Sequence, residues 1–200
     1  PQGANAQRSI NSTNAADTGA GTGAQQVTIS YLDTSFVLKS EVVTLNGTAG
    51  VNTVATDIAF IENIMVSRVG SGGGNAGTVQ VWTGLAAAGS VWGSIAAGDN
   101  QTFWAHHYVP TGVTCYILSA LAGATVVAGQ GNLNHSGNPL VSTNPQQQIG
   151  MTVVHTGPGS QEHDFAIPLS VVGPDLVWMV ERPVAATAST AVAGFEYLQF

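Results

Sequence analysis

Few side chains in this chain have the types and spacing that chemistry requires. His106 and His107 stand together, and imidazole is a common zinc ligand. In a strand, consecutive side chains point to opposite faces, so the two cannot easily share one ion. No Cys or His pair at two-to-four spacing stands elsewhere. The plainer reading packs one histidine and turns the other to a loop or a neighbouring subunit, with no metal site. His135, in Asn-Leu-Asn-His-Ser-Gly-Asn, reads as a turn residue, and His155 shares a strand face with Met151 and Val153 as a core or interface residue. Ser160, Glu162, His163 and Asp164 are the residue types of a hydrolase triad. Triad members meet from separated segments, with the serine on a strained turn, and no G-x-S-x-G occurs here. Glu162 and Asp164 would share one face of an extended segment, where weak cation binding is more physical and a solvated loop plainer still. Gly72-x-Gly74-x-x-Gly77 formally matches a dinucleotide fingerprint, which needs a helix after the glycines to hold pyrophosphate. Here Thr-Val-Gln-Val-Trp follows, which is strand, so the match reads as a hairpin-like connection and no cofactor is expected. Neither an activated nucleophile nor an acid/base pair assembles, so the chain is not expected to be an enzyme.

The aromatic residues are the remaining candidates. Trp82, Trp92, Trp104 and Trp178 with Tyr108 and Tyr116 could form a platform for sugars, Trp104 and Tyr108 sharing a face. Aromatic side chains embedded in strands more often fill a core or a subunit interface. Trp104, Tyr108 and the intervening His106 are therefore the candidate ligand or interface residues. Asn11, Asn46, Asn100 and Asn134 sit in glycosylation sequons, which carry little weight without a secretion signal.

The elements that must position these residues are strands. Val27, Ile29 and Tyr31 alternate with Thr28 and Ser30, a period of two. Leu32 to Ser35 reads as a turn, Phe36 to Leu45 as a second β-rich run, and Asn46-Gly47 as a tight reversal. Ile58 to Val69 is apolar on both alternating sets and predicts a strand covered on both sides. Thr78 to Thr83, Gln101 to Val109, Val113 to Leu121, Met151 to Thr156, Phe165 to Val172, Leu176 to Glu181 and Phe195 to Phe200 are further strand candidates. Leu85 to Ala97 has room for one short helical turn around Ala86-Ala87-Ala88, and Val126 to Gln148 reads as a long loop. Residues 1–24 lack apolar periodicity and predict an extended N-terminal arm. Residues 25–200 then form an all-β, antiparallel sandwich of jelly-roll type, with a possible sub-boundary within 126–148.

Composition narrows the function. Only 8 % of residues are charged, 4 basic and 11 acidic, where an ordinary soluble domain has about 25 %. Arg8, Lys39, Arg68 and Arg182 are too scattered to displace counterions from nucleic acid. No run of roughly 18 apolar residues spans a membrane. A lone cysteine, Cys115, permits no internal disulfide. The opening residues have neither a basic nor an apolar signal region, which fits a product made in the cytosol. So few charges leave sheet edges and faces poorly defended against association, which predicts a surface that other subunits cover.

Several stretches carry a resemblance. Thr22-Gly-Ala-Gln-Gln-Val-Thr-Ile-Ser-Tyr-Leu-Asp33, Ser40-Glu-Val-Val-Thr-Leu-Asn-Gly-Thr48 and Val51-Asn-Thr53 resemble a module of tailed-bacteriophage structural proteins. Phe60-Ile61, Ala76 to Val81, Ile95 to Thr102 and Tyr108-Val-Pro-Thr-Gly112 continue it, over roughly residues 19–121. The resemblance implies a virion protein made in the bacterial host cytoplasm and carries no catalytic residues. The implied role is a capsid decoration or cement protein on the outer shell, a homotrimer whose partners are the major capsid protein and its own copies. Its arm would lie across neighbours, so removing residues 1–22 is expected to abolish capsid binding and leave the sandwich folded. The alternatives are a tail or neck adaptor, collar or fibre-base component, or a carbohydrate- or receptor-binding module using the aromatics and residues 126–148.

Overall fold

The computed structural model describes residues 6–102, 105–124, 129–135, 147–155, 159–183 and 191–200. The fold is all-β: fourteen strands and no helix among the described residues. None of them forms a helix long and apolar enough to cross a membrane. The chain divides into two compact units, Pro1–Trp104 and Ala105–Phe200. The division falls ahead of the 126–148 stretch.

In the first unit, β1 (Ser9–Ser12), β4 (Val51–Asn52), β6 (Val79–Trp82) and β7 (Val91–Ile95) form one antiparallel sheet in the order β4-β1-β6-β7. β2 (Ala24–Leu32), β3 (Leu38–Thr44) and β5 (Phe60–Val69) form another in the order β3-β2-β5. Both sheets feed one core. Ile10, Val79, Val81 and Ile95 come from the first, and Val27, Ile29, Tyr31, Val43, Ile61 and Ile64 from the second. The alternation of apolar and polar residues in β2 is what turns its buried set to that core and its polar set outward.

The expected arm is corrected here. Residues 6–24 belong to the first unit, with Ser9–Ser12 an interior strand between β4 and β6 and Ile10 fully buried. Arg8 anchors this strand: Nη1 donates to Thr83 O at 2.9 Å, Nη2 to Ile58 O at 3.0 Å, and the guanidinium lies 3.8 Å from the Trp92 ring centroid. Burial lowers the Arg8 pKa, which marks how far its charge has been withdrawn from water.

Two other local expectations also change. Ala86 and Ala87 adopt left-handed φ of 55° and 57° in a turn, not a helical one. Their amides donate to Asn52 Oδ1 and Ser9 Oγ, so tertiary hydrogen bonds override alanine's helix propensity. β5 is covered on both sides only at its start. Phe60, Ile61 and Ile64 are buried, whereas Met65 is 44 % and Val69 39 % exposed.

The second unit repeats the four-plus-three arrangement. β8 (His106–Val109), β10 (Gly129–His135), β11 (Gln147–His155) and β13 (Asp175–Pro183) pair in the order β11-β10-β13-β8. β9 (Thr114–Ala124), β12 (Gly159–Val172) and β14 (Ala191–Gln199) pair as β12-β9-β14. Val109, Cys115, Ile117, Leu133, Val171, Val177 and Met179 make the core. The expected loop 126–148 contains β10, an interior strand whose sequence Gly-Gln-Gly-Asn-Leu-Asn-His carries one large apolar residue, Leu133. Its place is held by backbone pairing on both sides.

Cys115 is fully buried, and burial pushes its thiol up to about 11. At pH 8 the thiol should resist alkylation in the native protein and react when the second unit unfolds. Titration with a thiol reagent across a denaturant series checks this, and prompt stoichiometric reaction of native protein would contradict the burial.

Candidate functional site

The glycine fingerprint is the first candidate, because it borders a depression of about 280 Å³ lined by Thr22, Gly72, Gly74, Asn75 and Asn100 among others. A phosphate would need free amides there. Those of Gly72, Gly73, Asn75, Ala76 and Gly77 are already used. Gly72 N donates to Thr22 O, Gly73 N to Gly70 O, and Asn75 N to Asn100 Oδ1. Ala76 N and Gly77 N both donate to the carboxylate of Asp17, at 2.8 Å each. The turn runs directly into β6, so no helix dipole contributes.

Asp17 itself was hidden in the expected arm. It is fully buried, and its four acceptor contacts are Ala24 N (2.7 Å), Ala76 N, Gly77 N and Ser12 Oγ (2.5 Å). Burial alone would raise its pKa; the hydrogen bonds from Ser12, Ala76, Gly77 and Ala24 together outweigh burial and hold the carboxyl below its usual range. Gly23 is required beside it, because a Cβ at that position would overlap Asp17 Oδ1. This is an internal anion site, filled by the protein's own side chain.

A second charged cluster surrounds the only lysine. Lys39 Nζ lies 2.7 Å from Asp33 Oδ2 and 2.6 Å from Asp57 Oδ2, and the Tyr31 hydroxyl donates to Asp57 Oδ1 at 3.2 Å. Hydrogen bonds from Lys39 lower both carboxyl pKa values, and those to Asp33 and then Asp57 raise that of Lys39. Asp33 Oδ1 also accepts from Ser35 N and Val37 N, closing the turn expected at residues 32–35. Nearby, the Glu41 carboxylate accepts from Val54 N and Ala55 N. Every described partner of these charges is internal.

In the second unit the sequence candidates separate. Trp104 lies outside the described residues. Tyr108 is 3 % exposed, leaving little ring for a ligand to stack on, and burial raises its phenol pKa. His106 is half-buried on the same face of β8. His107 points the other way, stacked on Tyr197 at 4.0 Å with Nε2 2.7 Å from Gln199 Oε1. His135 ends β10, with Nδ1 2.7 Å from Oδ2 of the buried Asp175. A carboxylate-oriented imidazole is one part of an acid–base relay, but its described contacts include no Ser or Cys to activate. Ser160, Glu162, His163 and Asp164 lie along β12, where Ser119 Oγ donates to Glu162 Oε1 and His163 meets the Phe165 ring edge-on. Among the described residues, no group of three His, Cys, Asp or Glu side chains gathers that could hold a metal. The side chain of His155 is outside the description.

What the two units do present is sheet face. Strand register places Val42, Thr28 and Met65 in one outward row of the first unit, and Ser40, Ser30 and Asn63 in the next. Val42 is 56 % and Leu38 65 % exposed. On the second unit, Ser170, Tyr116 and Leu198 form one row, and Val172, Thr114 and Phe200 another. Tyr116 meets Phe200 edge-on at 6.1 Å, and Phe200 is 77 % exposed. These rows contain no charged residue. The sequence carried the signal, since the same alternation that buries Ile29 or Ile117 sends these residues outward. No family model, curated protein or solved structure matches the chain.

Proposed function

We propose that this protein is a structural virion component of a tailed bacteriophage, a decoration or cement protein that binds the outer capsid shell as a symmetric oligomer, with a trimer as the expected state. On this reading the sandwich-like units are of jelly-roll type and the partners are the major capsid protein and other copies of the chain. The observation that carries the reading is a pair of outward sheet faces on which uncharged rows expose Leu38, Val42 and Met65 on one unit and Tyr116, Val172, Leu198 and Phe200 on the other. Exposed apolar side chains grouped on one sheet face support an interaction surface, and stable shells and oligomers are built from interfaces more apolar than transient ones. The low charge of the whole chain and the sequence resemblance point the same way.

Counting copies on purified particles tests this. Hundreds of copies per particle are expected. Six or twelve would move the protein to a tail or neck ring, and absence from particles would end the virion reading.

A further inference from the structure

β3 (Leu38–Thr44) is the outer strand of its sheet, paired to β2 alone among the described residues. The opposite border of that sheet is occupied: Val66 N donates to Asn100 O and Thr102 N to Ile64 O, so residues 100–102 cover β5. Open edges are usually guarded by charge, proline or a bulge. β12, an outer strand of the second unit, has all three, with Glu162 and Asp164, Pro168, and an irregularity between Asp164 and Leu169. β3 has no proline and no bulge, and its outward face carries no charge. Its two charges, Lys39 and Glu41, point to the other face and are engaged by Asp33, Asp57 and the amides of Val54 and Ala55.

The residues Leu38-Lys39-Ser40-Glu41-Val42 are also complementary to themselves when reversed. Placed antiparallel to a second copy about Ser40, Leu38 falls opposite the partner's Val42 and Lys39 opposite the partner's Glu41. Ser40 meets the partner's Ser40. Directly opposite residues share a face, so the exposed apolar pair lies outward, while on the inner side Lys39 and the partner's Glu41 stand opposite each other without like-charge repulsion, each keeping its own internal partners. A shift of one residue in either copy sets Lys39 against Ser40 or Val42 and loses the match. We propose that β3 is a strand-addition site for a second copy of this chain, joining two three-stranded sheets into one continuous sheet across a two-fold axis at Ser40. The contact closes at two copies and stands whether or not the protein belongs to a virion. A three-fold assembly would use another surface, with this contact linking copies in pairs.

The full chain should show concentration-dependent dimerisation by sedimentation equilibrium. Two double variants at exposed outward positions then test the register. Leu38→Lys with Val42→Lys sets like charges opposite each other twice and should weaken the dimer about tenfold or more. Leu38→Glu with Val42→Lys sets opposite charges in the same places and should restore it. Mild oxidation of Ser40→Cys should give a disulfide-linked dimer, because the two Cα atoms would face each other within disulfide reach. Thr44→Cys, on the same face but away from the axis, should not. A chain that stays monomeric at every concentration overturns the proposal. So does equal dimerisation of the two double variants, or equal cross-linking of the two cysteine variants.

Discussion

Removing residues 1–22 will unfold the first unit. The deletion takes out β1, the strand between β4 and β6, and leaves the two-residue β4 without a partner. Loss of the fully buried Ile10 side chain alone is worth about 2–5 kcal/mol by analogy with truncation to alanine. The guanidinium of Arg8 on Trp92 and the four hydrogen bonds of Asp17 go with it. Set against a domain stability of about 5–15 kcal/mol, these losses are enough to abolish the fold. Loss of protection of backbone amides across residues 24–102 in hydrogen exchange is the expected readout. Protection as strong as in the intact chain would show that β1 is dispensable. Loss of particle binding after this deletion would report unfolding, so the experiment does not isolate an arm.

The second large effect belongs to Asp17→Asn. The substitution keeps the shape but replaces one carboxylate oxygen with an NH₂ group facing donors that now have no acceptor. With the amide nitrogen toward Ala24 N and Ala76 N two hydrogen bonds are lost; turned the other way it faces Gly77 N, whose bond is lost, and Ser12 Oγ, a hydroxyl that can turn to accept, so at least one is lost in either orientation. Buried hydrogen bonds to a charged group are worth about 1.5–3 kcal/mol each, so a loss of at least about 1.5–3 kcal/mol is expected from denaturant titration of the first unit. The pH dependence follows from the direction of the shift. The carboxyl is lower in the folded state than in the unfolded chain, so its stabilisation is complete above the ordinary carboxylate range of about pH 4. It fades as the pH falls through the lowered folded value. The Asn variant should lose that part of the acid sensitivity, and Asp33 and Asp57, lowered for the same reason by Lys39, should keep theirs. A variant as stable as the native protein at pH 7 would remove Asp17 from the account.

The strands legible in the sequence were those whose side chains do the positioning. Val27, Ile29 and Tyr31 alternate with polar residues because one face of β2 meets a core, and that requirement is written residue by residue. β1 and β10 were not legible for the converse reason. Ser-Ile-Asn-Ser and Gly-Gln-Gly-Asn-Leu-Asn-His each hold one large apolar residue, and each strand is placed by backbone pairing to both neighbours. Backbone amides and carbonyls are the same whatever the side chain, so such placement leaves little trace in residue type. Asp17 was invisible on the same ground, since two of its partners are amides 59 and 60 residues away. The glycine fingerprint is legible as a turn into a strand, because the residues that follow it decide the matter locally.

The order of strands in the first sheet also bears on how the protein is made. β1, which is synthesised before the other thirteen strands, is an interior strand whose neighbours are Val51–Asn52 and Val79–Trp82. Asp17 likewise waits for Ala76 and Gly77. Until that later stretch is synthesised, β1 lacks its β6 neighbour and Asp17 two of its three amides, so the first unit completes late and through distant contacts. Contacts of this kind make folding slow and leave unpaired strands exposed while they form. The glycine-rich turn before β6 is thus the point at which the growing chain first supplies the partners that β1 and Asp17 await.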